Sequence, residues 1–155
     1  MNFLLTLFLL LSGALQLTLP ANQSDGVFES EVEEVVTNFF NAMRESDDEA
    51  MRSFLTVEAT LNTVALSEQD STVLDETEIR SFLNSVGESA PGALDEQITS
   101  FIAHVDGKLS TAWMDYSFYY NGEFSHCGVN TMNLIKTEAG WKIFSIVDTR
   151  RTEGC

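Results

Sequence analysis

Asp115, His126 and Asp148 are side chains of the kinds that move protons, and Arg150 beside them is of the kind that clamps an anion. Imidazole titrates near neutral pH without help, whereas an aspartate does so only where burial or a like charge raises its pKa. Proton transfer therefore requires these groups to share a water-poor pocket. Trp113 and Tyr119, with Phe124, offer flat faces to a ligand ring, and Asn130 can both donate and accept a hydrogen bond. The candidate catalytic residues, if the chain is an enzyme, are thus Asp115, His126 and Asp148, and the candidate ligand-binding residues are Trp113, Tyr119, Asn130 and Arg150. Each has a structural counterpart reading: an aspartate facing Arg150 forms an ion pair, His126 closes a pocket mouth by hydrogen bonding, and the aromatics are plain core. No metal or cofactor is expected, because His104 and His126 are the only histidines and no HxxxH, CxxC, GxSxG or glycine-rich phosphate loop occurs.

Whether the candidates meet depends on the strands that carry them. Residues 97–105, 109–120, 124–136 and 141–150 are β-rich runs joined by Asp106-Gly107, Asn121-Gly122 and Glu138-Ala139-Gly140. Tight closure of these turns sets Val105 opposite Lys108, Tyr120 opposite Glu123, and Thr137 opposite Trp141. One face then collects Ile98, Ile102 and His104, then Trp113, Asp115, Ser117 and Tyr119. His126, Gly128, Asn130 and Met132 join them, as do Phe144, Ile146, Asp148 and Arg150. Asp115, Gly128 and Arg150 fall abreast, with the two charged residues about 10 Å apart at the backbone. The opposite face would carry Met114, Tyr116, Phe118, Val129, Ile135, Ile143 and Val147, too apolar to meet water.

Helices must cover one side of this sheet. Val32, Val35, Val36, Phe39, Phe40 and Met43 form one helical stripe, with Ser30 and Glu33 as a capping pair at its start. Asp47 or Asp48 caps a second helix with Ala50, Met51, Phe54 and Leu55 inward. Short strands are expected at 60–66 and 71–74, and a third helix over 77–86 ends at Gly87. The fold class is α+β: three N-terminal helices packed on a curved antiparallel sheet.

The chain has 155 residues, of which 24 are acidic and 8 basic, a net charge of −16. That charge argues against nucleic acid as a partner. Residues 1–21 hold a leucine- and phenylalanine-rich stretch without charge, read as a signal peptide or, alternatively, a membrane anchor. A secreted or periplasmic location follows from the first, an anchored domain outside the cytoplasm from the second. Export permits a disulfide. The same register sets Cys127 opposite Arg151, four residues before Cys155, so the two cysteines either pair or remain a buried thiol and a loose end.

The helical segment EVEEVVTNFFNAMRESDDEAMRSFL and the tail WMDYSFYYNGEFSHCGVNTMNLIKTEAGWKIFSIVDTRR resemble the nuclear transport factor 2-like superfamily, in its SnoaL-like or lumazine-binding branch. The resemblance covers residues 27–151, leaving 152–155 as a tail, and its most specific pieces are FSHCGVN and GWKIFSIVDTRR. It implies a cone-shaped fold, a sheet curled around a hydrophobic cavity, and a homodimer through the sheet. Ketosteroid isomerase and scytalone dehydratase are members, as are many proteins with no assigned reaction. The isomerase's oxyanion hole needs a tyrosine on the first helix, and none is present here. The dehydratase's His-and-Asp set is matched only in residue type, by His126 with Asp115 or Asp148. The resulting expectation is an exported binding or accessory protein for an apolar or aromatic small molecule. The alternatives are an isomerase, dehydratase or cyclase and a purely structural module.

Overall fold

The apolar stripe of the N-terminal half becomes helix α1 (Gln23–Arg44), the first element of a computed structural model that describes residues 23–67 and 71–155. The leader expected over residues 1–21 lies outside them. Helix α1 begins before the predicted capping pair, so Ser30 sits inside it rather than at its start. Phe28 meets the Trp141 ring edge-on at 6.0 Å, and the Glu31 carboxylate accepts hydrogen bonds from Trp141 Nε1 and the Lys136 ammonium. Asp47 caps helix α2 (Asp48–Phe54) by accepting from the Ala50 amide at 2.8 Å. The carboxylate of Glu78 does the same for helix α3 (Ile79–Gly87), which therefore starts two residues later than its predicted start at Thr77.

Seven strands follow the helices or interrupt them: β1 (Leu55–Leu66), β2 (Thr72–Thr77), β3 (Leu94–Ile98), β4 (Ile102–Asp106), β5 (Leu109–Tyr120), β6 (Glu123–Thr137) and β7 (Gly140–Thr149). They form a curved, unclosed sheet in the order β2-β1-β7-β6-β5-β3, with β4 also pairing β5. The sheet is mixed rather than wholly antiparallel, because β1 runs parallel to β7. Val32, Phe39, Met51 and Leu83 from the helices pack against Met114, Met132, Leu134 and Ile143 from the sheet, and all eight are essentially inaccessible to water. Among the described residues no helix is long and apolar enough to cross a membrane.

Three departures from the expected register decide which side chains enter the cone. First, the run 97–105 is not one strand. It breaks at Thr99–Phe101, where the Thr99 amide and the Ser100 hydroxyl bind Asp115, and the first hairpin turns at Gly107-Lys108, so Val105 faces Ser110 rather than Lys108 and β3 and β4 lie one and two residues from the expected register. Second, the Asn121-Gly122 hairpin closes as predicted, with both residues at positive φ, but one residue of β6, Ser125, is left unpaired between Phe124 and His126. This bulge moves every pairing from His126 onward along β6 by one, setting Asp115 against Val129 and Tyr116 against Gly128. Third, the last hairpin is a two-residue turn followed by a bulge at Phe144, and the slip restores the predicted pairing of Asn130 with Asp148.

The face assignment of β5 is therefore corrected. Ala112, Met114, Tyr116 and Phe118 face the helices, while Trp113, Asp115 and Ser117 lie on the outer side. Ile102 and His104 follow Trp113 outward, and Ile143 turns inward in place of Phe144. A one-residue slip exchanges the two sides of a strand completely.

Candidate functional site

The cone holds a cavity of about 360 Å³ whose wall is apolar on most sides and polar at one end. Phe39, Phe40 and Met43 on α1, Phe82 and Val86 on α3, and Met132 and Ile146 on the sheet supply the apolar lining. Glu96, His126, Asp148 and Arg150 supply the polar end. Alternation within each strand brings them there: Leu94, Glu96 and Ile98 share one side of β3, and Asp148 follows Ile146 on β7.

Asp148 is 5 % exposed and is held by three neighbours. Thr63 Oγ1 donates to its Oδ1 at 2.5 Å, Arg150 Nε donates to Oδ2 at 2.8 Å, and the Tyr116 hydroxyl lies 3.4 Å from Oδ2. The single phenol proton is better placed on the Thr149 carbonyl, 2.9 Å away. Burial, then the nearby carboxylates of Glu96 and Asp148, push the Tyr116 pKa up, so it remains a donor.

Gly128 makes this arrangement possible. A Cβ at that position would stand 1.8 Å from the Thr149 carbonyl oxygen and 2.8 Å from the Tyr116 ring. The β7 backbone thus dips onto a residue with no side chain, and its carbonyl finds the tyrosine. The ladder resumes one step later, where Cys127 and Arg151 exchange both backbone hydrogen bonds at 2.9 Å. A disulfide between Cys127 and Cys155 fastens the tail over this junction.

Glu96 is the group that was not foreseen. Its Oε1 accepts from Asn130 Nδ2 at 2.6 Å, and among the described residues no other side chain or backbone group hydrogen-bonds its carboxyl. Although the residue as a whole keeps some solvent exposure, the carboxyl is packed among protein groups. Burial raises its pKa to about 7; Asp148 adds to the rise, while Asn130 and Arg150 oppose it. The alternation of Leu94, Glu96 and Ile98 just after Pro91-Gly92 is the signal that could have found it.

His126 packs against Phe118 at 5.0 Å and meets Tyr116 edge-on at 5.7 Å, with Ser125 Oγ 3.0 Å from its Nδ1. Burial and then the Arg150 charge lower its pKa, which keeps it neutral. Of the predicted set, His126, Asn130, Asp148 and Arg150 come together. Asp115 and Trp113 do not: Asp115 accepts from Ser100 Oγ at 2.5 Å on the outer side, and Trp113 is 52 % exposed there. Tyr119 packs edge-on against Phe124 at 5.8 Å, away from the cavity lining. Among the described residues, no group of three or more His, Cys, Asp or Glu side chains is placed to hold a metal ion.

Residues 32–147 match the model of the SnoaL-like domain. No curated protein sequence matches the chain. Among solved structures it is similar to a nuclear transport factor 2-like protein of unknown function from Shewanella baltica, with 13 % identity, a TM-score of 0.61, and 85 % of this chain and 100 % of that one covered. A nuclear transport factor 2-like protein with a cystatin-like fold from Novosphingobium aromaticivorans gives 14 %, 0.63, 83 % and 84 %. A nuclear transport factor 2-like superfamily protein from Salmonella enterica serovar Typhimurium gives 14 %, 0.62, 84 % and 95 %. At these identities the structural likeness speaks to the fold, and the domain match supplies the family. With three helices packed on a curved sheet around an apolar cavity, this chain belongs to the SnoaL-like family of the nuclear transport factor 2-like superfamily.

Proposed function

We propose that the chain is a small-molecule-binding protein whose ligand lies in the cone, apolar body among Phe39, Phe40, Phe82 and Met132 and polar end against Glu96 and Arg150. The observation that carries this reading is the cavity itself. Its volume of about 360 Å³ and its few polar groups at one end match the usual make-up of a ligand pocket. Thermal shift with 1-naphthylmethanol as a neutral apolar probe tests it. The probe is expected to raise the melting temperature of the wild type but not of Ser85→Trp, which places an indole at the exposed position 85 on the cavity wall. Failure of this and similar flat probes to bind the wild type ends the proposal.

A second reading, an isomerase, dehydratase or cyclase, is favoured by one observation: the Glu96 carboxyl, with a pKa of about 7, sits at the polar end of an apolar cavity. Solvent-deuterium incorporation next to the carbonyl of a cyclic enone, followed by NMR with wild type and Glu96→Gln, tests it. No incorporation above the uncatalysed rate removes the enzymatic reading.

We propose export as well, and the disulfide supports it, since such bonds persist in oxidising compartments. Self-association through the outer side of the sheet is supported by the exposed Ile102, Leu109, Trp113 and Ile135. Light scattering on wild type and Trp113→Glu reads that directly: a monomeric wild type sinks it.

A further inference from the structure

The two carboxyl groups at the polar end of the cavity are served unequally. Asp148 has a hydroxyl, a guanidinium and a distant phenol around it, whereas Glu96 has one neutral amide donor from Asn130. Arg150 is the cation of this cluster, and its Nε is spent on Asp148. The other charged or titratable groups around Glu96 offer no compensation. Tyr116 on β5 stays protonated and neutral, and the lowered pKa of His126 on β6 keeps its ring uncharged. On the helical side, the groove that Glu96 also borders holds Glu33 and Arg44 of α1, and Arg44 lies 3.3 Å from Asp95. The cavity lining contributed by α3, β1 and β2 holds no titratable side chain.

A carboxyl in that position lacks a charged donor. An anionic ligand would bring a third negative group to two carboxylates, with only a half-engaged guanidinium to meet it. A neutral ligand could fill the apolar space but would leave the charge of Glu96 with only an Arg150 already shared with Asp148 to balance it. An ammonium supplies both the charge and the hydrogen bonds, and the net charge of −16 draws cations to the surface from a distance. We infer that the cavity selects an apolar ligand carrying a basic nitrogen, and that Glu96 is the carboxylate that receives it. This rests on the cone being a ligand site at all.

Three probes of one shape separate the possibilities: 1-naphthylmethylamine, 1-naphthylmethanol and 1-naphthoate, titrated by calorimetry into the full chain in about 0.15 M salt. At about pH 8, where Glu96 is mostly ionised, the amine is expected to bind about tenfold tighter than the alcohol, with the carboxylate weakest. At about pH 5.5 protonation of Glu96 reduces that advantage several-fold, and Glu96→Gln reduces it to within about twofold at either pH. The pH series on wild type decides the matter even if the variant folds poorly. Equal binding of amine and alcohol at about pH 8 overturns the inference while leaving the cavity reading intact. Amine binding that persists undiminished in Ser85→Trp overturns it too, because the cation then sits on the acidic surface. If none of the three binds, both readings fall.

Discussion

Asp115 and Asp148 are the same side chain on two strands of one sheet, and the fold treats them oppositely. Asp148 is buried, held by Thr63 and Arg150, with the Tyr116 hydroxyl nearby, and borders the cavity. Asp115 accepts from Ser100 on the outer side, where water can replace a lost contact. What separates them is the one inserted residue at Ser125, which turns β5 over relative to β6. In a strand, side-chain type proposes a role but the count of residues between paired positions assigns the face.

The hardest blow to the inner region is expected at Gly128. In Gly128→Ala the new methyl would collide with the Thr149 backbone oxygen at 1.8 Å, an atom no side-chain rotation can clear. Loss of about 3 kcal/mol is expected in urea unfolding, together with loss of the Tyr116 hydrogen bond to Thr149. Stability within experimental error of wild type would mean that β7 does not dip there. Asp148→Asn comes next. It keeps an acceptor for Thr63 but presents an amide to Arg150, and about 2 kcal/mol should be lost by the same measurement.

Glu96 sharpens the contrast in the other direction, since here a buried charge opposes folding. Its pKa is about 7 folded against an ordinary value of 4.5, so the folded state holds the proton more tightly. The resulting stability is fully present below about pH 4.5, declines as pH rises, and is gone above about pH 7. Glu96→Gln is expected to remove that decline and to stabilise the protein at about pH 8 by an amount on the order of 2 kcal/mol. Denaturation midpoints across this range check it. Parallel curves for wild type and variant would place the carboxyl in water.

Much of this architecture was readable from residue order. The stripe from Val32 to Met43 is a core helix face, the cap of α2 is the first of the two candidates Asp47 and Asp48, and Asn121-Gly122 is a tight hairpin because both of its residues accept positive φ. The pairing of Asn130 with Asp148 matches the reading from a three-residue last loop only because the bulge at Phe144 offsets the shorter turn that actually forms. The bulges at Ser125 and Phe144 were not readable. Nothing in FSHCG or IFSIV marks the unpaired residue, and the pairing of His126 with Phe118 beside the first bulge shows only once the strands are folded together. Glu96 lies outside a strand that starts at residue 97, and only the observed start at Leu94 reveals its alternation with Leu94 and Ile98. Tyr116 falls on the outer side in an unbulged register and turns inward only through the extra residue at Ser125.

The smallest effect belongs to Asp115. Asp115→Asn preserves an oxygen for Ser100 and the backbone bond from Thr99 to the residue 115 carbonyl, and its surroundings are open to solvent. A change within about 0.5 kcal/mol is expected, with no alteration in the pH dependence that Glu96 imposes or in probe binding. The comparison is most exposed here, because the register first read from the turns sets this carboxylate directly across Gly128 from Arg150. Were Asp115→Asn to abolish binding of the naphthyl amine while Asp148→Asn spared it, Ser125 would have to be paired rather than bulged. The cavity would then be walled by Trp113 and Asp115, not by Tyr116 and Phe118. A loss confined to the Asp148 variant leaves the bulge as the feature that decides which aspartate meets the ligand.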